Sequence, residues 1–286
     1  FRSVPVPVLF TGSMLPAGAP GSDAWTNLFG AMTLLASGVA AGVQLYFNGQ
    51  LLAGTHALLL RRIVKGVARK HGFGATFMAK PFTDIAGSGM HIHTSIYDRQ
   101  GMNIFADADP VDPPRLMPRL RHAVAGLGAL LDESMLCLAP HPNSYRRFKA
   151  GALAPSGRNW GYDHREVALR VPRSSEYNRR IEHRVAGADA NPYLALATVL
   201  AGIHFGLENQ LMPGDPIARE ADLSKVETTL PTRLDAAIAL FADSDVLPTY
   251  LGPEFTTIYA AIRQGESNAY HAQVPDVDYA WYLRAL

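Results

Sequence analysis

Cysteine is nearly absent from this sequence. The 286 residues contain one cysteine, Cys137, and a single thiol cannot form an internal disulfide. Chains without disulfides are typical of a reducing compartment. We therefore expect a cytoplasmic protein.

Long apolar runs and a strong net charge are also missing. No apolar run reaches the roughly 18 to 20 residues that span a bilayer, and no positively charged leader with an apolar core is present. The formal net charge is +1, so no whole-molecule field favours nucleic acid or an anionic membrane as a partner. Because residue 1 is Phe, we expect the chain to begin inside a longer gene product.

Residues 1–50 contain very few charged side chains. They contain Arg2 and Asp23 but no Lys or Glu, and residues 51–286 carry the other 49 charged residues. So abrupt a change indicates a boundary near residue 50. One interpretation is a buried β-rich segment with a strand over Val4–Phe10. The hypothesis that we favour is that residues 1–50 are foreign to the fold, from a shifted reading frame, a misjoined gene or a decayed gene.

After this boundary, hydrophobic spacing predicts an α+β domain. Helices are predicted over 51–70, 115–133, 191–209, 236–241 and 255–263, and strands over 75–79, 90–97 and 166–171. A strand-rich middle and a helix-rich end favour α+β over regular βαβ alternation.

The stretch Asn178–Arg184 carries one carboxylate between arginines. In a strand, Arg180, Glu182 and Arg184 share one face, because side chains alternate. One interpretation is a salt-bridged, half-buried sheet face. The other is a site in which Glu182 binds a cation and the arginines bind anionic oxygens.

Two histidines follow a glycine-containing loop. His91 and His93 lie two residues apart on a predicted strand, directly after Gly87-Ser88-Gly89. Such a pair is often structural. Glycines allow close approach of a ligand to the backbone, however, and a histidine can ligate a divalent cation.

Nine arginines lie between Arg146 and Arg184. A solvated basic face is one interpretation, and recognition of phosphates and small carboxylates is the other. Arg165 and Arg170 are five residues apart, so a regular strand would place their side chains on opposite faces. One of them must therefore lie at a strand end or beside a bulge.

Four ordered motifs resemble the catalytic domain of the glutamine synthetase family. They are Gly87–His93, Asn143–Arg147, Arg165 with Arg170-Val171-Pro172, and Asn178–Arg184. The segment Asp189–Leu194 is similar to the family's helix start. The resemblance covers about 51–286 and is closest to the branch that ligates glutamate to polyamines or other amines. It implies an α+β fold with a curved, mainly antiparallel sheet backed by helices.

The resemblance also implies a reaction and a set of site residues. The reaction is ATP-dependent ligation of an amine or ammonia to glutamate through a γ-glutamyl phosphate, in a homo-oligomeric ring and with Mg²⁺ or Mn²⁺. The implied metal ligands are His91 and Glu182; the ATP contacts are His93, Ser95, Arg165, Arg170 and Arg180; the glutamate contacts are Gly87, Arg147 and Arg184; Arg165 and Arg147 are the implied catalytic residues.

Three departures from the family pattern bear on activity. Residues 1–50 have no Glu, and Leu35 and Gly42 stand where the family has acidic metal ligands. Leu153 stands where ammonia-using members have a Glu, which favours alkyl amines over ammonia. We expect the family's N-terminal β-grasp domain to be missing. We therefore expect impaired turnover, and an inactive scaffold or ligand sensor is the alternative.

Overall fold

The computed structural model describes residues 8–11, 43–47, 50–52, 54–106, 118–148, 154–218, 221 and 229–284. Their strands form one seven-stranded sheet in the order β3-β2-β1-β4-β7-β6-β5. The strands are β1 (Val8–Thr11), β2 (Val43–Phe47), β3 (Gln50–Leu52), β4 (Ile92–Ile96), β5 (Trp160–Tyr162), β6 (Leu169–Val171) and β7 (Ile181–His183).

Four of the six strand pairs are antiparallel, and the pairs β1–β2 and β5–β6 are parallel. The expectation of an α+β fold with a mainly antiparallel sheet is confirmed. The helices are α1 (Gly54–Lys70), α2 (Pro118–Ala129), α3 (Leu131–Leu138), α4 (Pro192–Glu208), α5 (Leu234–Ala242), α6 (Leu247–Leu251), α7 (Pro253–His271) and α8 (Asp276–Tyr282). Within the described ranges, no helix is long and apolar enough to cross a membrane.

The core lies where the helices cover one face of the sheet. Leu169 on β6 and Ile181 on β7 are fully buried among helix residues such as Leu120 and Ile203. Helices α2 and α4 approach unusually closely, because a β-carbon on Gly126 would lie 2.1 Å from the carbonyl oxygen of Gly202. Close helix contact of this kind depends on glycine at the crossing.

Several predicted elements are confirmed with shifted ends. Helix α4 begins at Pro192, after Asn191, whose side chain accepts a hydrogen bond from the backbone N–H of Tyr193. The predicted helix 115–133 is instead two helices separated by Leu130, whose ψ of 5° is not helical. Residues 115–117 lie outside the described residues.

The strand predicted over 75–79 is wrong. The end of this segment is held by a loop instead: the N–H of Ser88 donates to the Ala79 carbonyl, and the N–H of Lys80, the next residue, donates to the Asn143 side chain. The strand predicted over 166–171 is limited to Leu169–Val171. The Asn159 side chain accepts the hydrogen bond of the Ala168 N–H, so that N–H is not available to a neighbouring strand.

Strands β1 and β2 and the first residue of β3 place parts of residues 1–50 in the sheet. Strand β1 pairs with β4 next to the middle of the sheet, and it begins at Val8, within the predicted strand Val4–Phe10. Residues 4–7 lie outside the described residues, as do Leu35 and Gly42. This pairing argues against a segment that stands apart from the sheet, and the origin of residues 1–50 stays a prediction.

Candidate functional site

A row of polar side chains crosses three adjacent strands. His93 on β4 lies opposite Glu182 on β7, and Glu182 lies opposite Arg170 on β6. The next residues along each strand, Ile92 and His183, form the buried pair on the other face. The predicted alternation of faces around Glu182 is therefore confirmed.

Glu182 is the centre of this row. One carboxylate oxygen, Oε2, accepts a hydrogen bond from Nη1 of Arg170 at 2.8 Å. The other oxygen, Oε1, accepts from Nη1 of Arg184 at 2.6 Å and lies 3.0 Å from Nδ1 of His91. The carboxylate is almost completely buried, so its charge is balanced by these contacts rather than by water.

The electrostatic balance keeps Glu182 ionised. Burial alone would raise the pKa of this carboxyl group, but the hydrogen bond with His91 and the charges of Arg184 and Arg170 outweigh it and hold the pKa well below its usual range. Burial lowers the pKa of His93 to about 4, despite the opposing charge of Glu182. The row therefore holds a carboxylate and an uncharged imidazole at neutral pH.

A pocket of about 490 Å³ opens beside this row. Its lining includes the loop at Lys80–Gly87 and the side chains of His91, Arg147 and Arg184. His91 and Arg184 also contact Glu182, so the pocket and the row share two side chains and form one site.

Arg147 is held tightly at the base of this pocket. It lies at the end of a 3-10 helix, Ser144–Arg147, and is 5% exposed. Its Nη1 donates to the Val185 carbonyl at 3.1 Å. Burial lowers its pKa, and the charge of Asp189 opposes that shift. A buried guanidinium at a pocket wall is suited to bind a carboxylate.

Three glycines make room for the Arg147 side chain. A β-carbon on Gly87 would lie 2.8 Å from Cγ of Arg147, one on Gly89 would lie 3.0 Å from Nη2, and one on Gly187 would lie 3.3 Å from Nη1. The predicted role of Gly87 in a ligand site is consistent with this crowding, because any side chain there would displace Arg147.

The remaining predicted site residues lie at the edge of this arrangement. Nε of Arg180 donates to Nδ1 of His93 at 3.2 Å, and the Ser95 hydroxyl donates to the Arg179 carbonyl. Arg165 precedes β6 and its side chain is exposed, while its carbonyl accepts a hydrogen bond from Arg184. Arg165 therefore lies outside the strand and Arg170 lies at its centre, which agrees with the prediction that only one of them occupies a regular strand position.

Sequence reasoning missed the residues that support these side chains. Asp163 accepts a hydrogen bond from Nη2 of Arg170 at 3.2 Å, and Asp189 accepts one from the Ser144 hydroxyl at 2.6 Å. Asn143 exchanges two hydrogen bonds with the backbone of Lys80. Asn143 and Asp189 fall within recognised motifs, whereas no sequence signal marks Asp163.

His91 and Glu182 fit a divalent cation as two of its ligands. An imidazole nitrogen and a carboxylate oxygen lie side by side at the pocket. A carboxylate oxygen suits Mg²⁺ or Mn²⁺, and an imidazole nitrogen suits transition-metal ions. Among the described residues, no group of three or more His, Cys, Asp or Glu side chains could hold a metal ion.

Sequence comparison assigns a family to this arrangement. The family model described as the glutamine synthetase catalytic domain matches residues 35–282. The chain belongs to the glutamine synthetase family. A second family model, for the N-terminal part of asparaginase, matches residues 1–61 and overlaps the first over 35–61.

Similar proteins include several amine ligases. The chain is 41% identical over 246 residues to gamma-glutamylputrescine synthetase PuuA of Escherichia coli (strain K12), covering 85% of this chain and 50% of that protein. It is 33% identical over 243 residues to a glutamate–isopropylamine ligase of Pseudomonas sp, with 84% and 52% coverage. The chain thus spans about half the length of these relatives.

Solved structures give the same assignment. A structure described as apo GmaS without ligand superimposes with a TM-score of 0.71 at 28% identity, covering 81% of this chain and 53% of that chain. A GmaS complex with ADP gives the same TM-score, with 80% and 54% coverage.

Proposed function

We propose that this chain forms the catalytic half of an ATP-dependent ligase that joins an amine to the γ-carboxylate of glutamate through a γ-glutamyl phosphate. The observation that carries this proposal is the shared boundary between the Arg147 pocket and the His93–Glu182–Arg170 row. It brings a pocket suited to a carboxylate beside a cluster suited to phosphate and cation. Such adjacency is what transfer of a phosphoryl group to a carboxylate requires.

In this proposal the pocket binds glutamate. The buried guanidinium of Arg147 and that of Arg184 hold its carboxylate groups, and Gly87 offers its backbone at the entrance. Arg147 is the catalytic residue on this side, because it fixes the reacting substrate in place. Its burial makes the ion pair stronger than it would be in water.

The row and its edge bind ATP. Arg170, Arg180 and Arg165 contact the phosphates, with Arg165 as the second catalytic residue, and His93 and Ser95 lie beside the nucleotide. His91 and Glu182 hold Mg²⁺ or Mn²⁺, which when bound neutralises charge on the phosphates. The ADP complex of GmaS supports nucleotide use by this fold.

The amine is an alkyl amine in preference to ammonia. The similar proteins are named for putrescine and isopropylamine as their amines, and Leu153, which lies outside the described residues, replaces a carboxylate of ammonia-using members. A leucine cannot take a proton from ammonium. We further propose that the intact protein is a cytoplasmic homo-oligomeric ring.

The test is ADP release by the chain with glutamate and a panel of amines. We expect turnover well below the usual range of about 1–10³ s⁻¹, because residues 1–50 supply no Glu as a metal ligand. In a full-length homologue with Leu at the Leu153 position, we expect putrescine or ethylamine to exceed ammonium in kcat/KM. Ammonium exceeding both would refute the amine assignment.

A second function, an inactive scaffold or ligand sensor, follows from the same missing ligands. The two functions predict different effects of Glu182→Gln on ADP release and glutamate binding. In a ligase, the substitution abolishes residual ADP release, whereas in a sensor glutamate binding persists without any ADP release in either variant. Titration calorimetry with glutamate, beside the ADP assay, separates them.

We also propose that the residues before about 35, where the glutamine synthetase match begins, derive from a different gene than the rest of the chain. The low charge of residues 1–50 and the asparaginase match over 1–61 support this. Because the amino-acid sequence as translated matches asparaginase, a join of two coding segments explains it better than a shifted reading frame does.

Sequencing the gene upstream of the Leu51 codon tests the join. We expect asparaginase-like coding sequence to continue upstream in the same frame. Glu-rich, glutamine synthetase-like sequence in another frame over residues 1–50 would refute the join and restore the shifted frame.

A further inference from the structure

Arg170 is held between two carboxylates. Its Nη1 donates to Glu182 at 2.8 Å, and its Nη2 donates to Asp163 at 3.2 Å. Each terminal nitrogen of the guanidinium thus has its own carboxylate partner. Glu182 lies on the neighbouring strand β7, and Asp163 lies on the turn after β5. Among the described residues, Nε of Arg170 is buried without a hydrogen-bond partner.

Asp163 reaches this position through an unusual backbone conformation. Its φ is 49°, and within the described ranges only Asp163 and Gln210 among non-glycine residues have positive φ. The left-handed region costs most side chains energy, but Asp and Asn tolerate it best. The Asp163 carboxylate also accepts a hydrogen bond from the backbone N–H of Arg173 at 3.0 Å, which fixes the turn against the end of β6.

We propose that Asp163 is a positioning residue that keeps the Arg170 guanidinium aimed at the site. The inference rests on the proposed function, in which Arg170 contacts phosphate. Glu182 is shared by Arg170, Arg184 and His91, and it is also a proposed cation ligand. A carboxylate that serves a cation has fewer lone pairs for arginines, so Asp163 is the partner that Arg170 keeps.

The simpler interpretation is that Asp163 only shapes its turn. Three substitutions separate the two roles. Asp163→Asn keeps an oxygen acceptor and tolerance of positive φ but removes the charge. Asp163→Gly keeps the backbone freedom and removes the side chain. Gln210→Gly is the matched control, because Gln210 has the same φ and lies outside the site.

The experiment measures ADP binding with Mg²⁺ to the full chain by titration calorimetry. We expect Asp163→Asn and Asp163→Gly each to weaken ADP binding about tenfold, as for loss of one charge-assisted contact. The Kd for glutamate in both Asp163 variants, and the Kd for ADP in Gln210→Gly, should stay within about twofold of the values for the unsubstituted chain. In an Arg170→Ala background, Asp163→Asn should have no further effect.

Thermal unfolding without ligand provides a second measurement. We expect Asp163→Asn to lower Tm in the unsubstituted chain and to leave Tm unchanged in the Arg170→Ala background. Additive Tm shifts, or unchanged ADP binding in Asp163→Asn while Arg170→Ala weakens it, would overturn the inference. If the unsubstituted chain binds no ADP, the proposed function fails, and the Tm cycle alone decides whether Asp163 holds Arg170.

Discussion

The side-chain amide of Asn143 and the backbone of Lys80 exchange two hydrogen bonds, each 2.9 Å long. This pair joins the 3-10 helix that ends at Arg147 to the loop that lines the pocket. The two sides of the pocket are therefore fixed to each other by one side chain.

Asn143→Ala should loosen the pocket. Losing two hydrogen bonds at a partly buried position should lower the free energy of unfolding by about 1–3 kcal/mol, and glutamate should bind more weakly because the Lys80 loop is released. Urea unfolding and titration calorimetry measure both effects. Asn209→Ala is the control, since Asn209 is exposed and bonds within its own helix end; equal losses in both variants would contradict the role of the pair.

Gly87→Ala should disable the pocket. The added methyl group would lie 2.7 Å from the Ala79 carbonyl oxygen and 2.8 Å from Cγ of Arg147, so Arg147 must move, at a cost of about 1–3 kcal/mol. Gly66→Ala, on the exposed side of α1 with nothing within 4 Å, should instead gain up to about 1 kcal/mol in stability. Urea unfolding should show a loss of stability for Gly87→Ala and a gain for Gly66→Ala, and only Gly87→Ala should weaken glutamate binding. Equal stability and equal glutamate binding in the two variants would show that the crowding at Gly87 is relieved without cost.

His183 should make the protein less stable in mild acid. Complete burial lowers its pKa to about 4, against about 6.5 in the unfolded chain. The unfolded chain therefore binds a proton that the folded chain does not, so stability is full above pH 6.5 and falls as pH drops toward 4. The loss is on the order of 3 kcal/mol.

His183→Leu provides the measurement for this pH dependence. Urea unfolding at pH 7 and pH 5 should show a smaller difference in the variant than in the unsubstituted chain. His93, whose pKa is lowered to about 4 as well, accounts for a remaining slope. An identical pH difference in both proteins would exclude His183 as a source.

Cys137 should be unreactive in the folded chain. Its side chain is fully buried, and burial raises its pKa to about 12, so neither access nor thiolate is available to Ellman's reagent at pH 8. Labelling should appear only as urea unfolds the chain. Ala261→Cys adds an exposed thiol on α7 and should label at once, and rapid labelling of Cys137 itself would contradict the burial.

The strand alternation and the motif spacing predicted the site's central row. Placing Glu182 between arginines on one face needed only the period of two, and His91 and His93 followed from the same period. Sequence could not give the partner strands, because β4, β6 and β7 are brought together by long-range pairing. It also missed Asp163, since its backbone conformation depends on a turn that no local pattern marks.

Local competition explains the elements that were mispredicted. Residues 75–79 have the composition of a strand, but Ser88 bonds to the Ala79 carbonyl and the Asn143 side chain bonds to the backbone of Lys80, the next residue. In α1, Leu59, Ile63 and Val67 recur at helical spacing, yet all three side chains are exposed. Periodicity identified that helix correctly, although it could not tell which face would be covered.

The pairing of His93 with Glu182 has a kinetic consequence. These residues are far apart in the sequence, so their strands meet only after a long loop has closed, which makes such contacts slow to form. Ligands of the row should therefore bind only chains in which the middle of the sheet has formed. The appearance of binding during refolding would time the closure of β4 on β7, and bound ligand would slow the opening of the sheet.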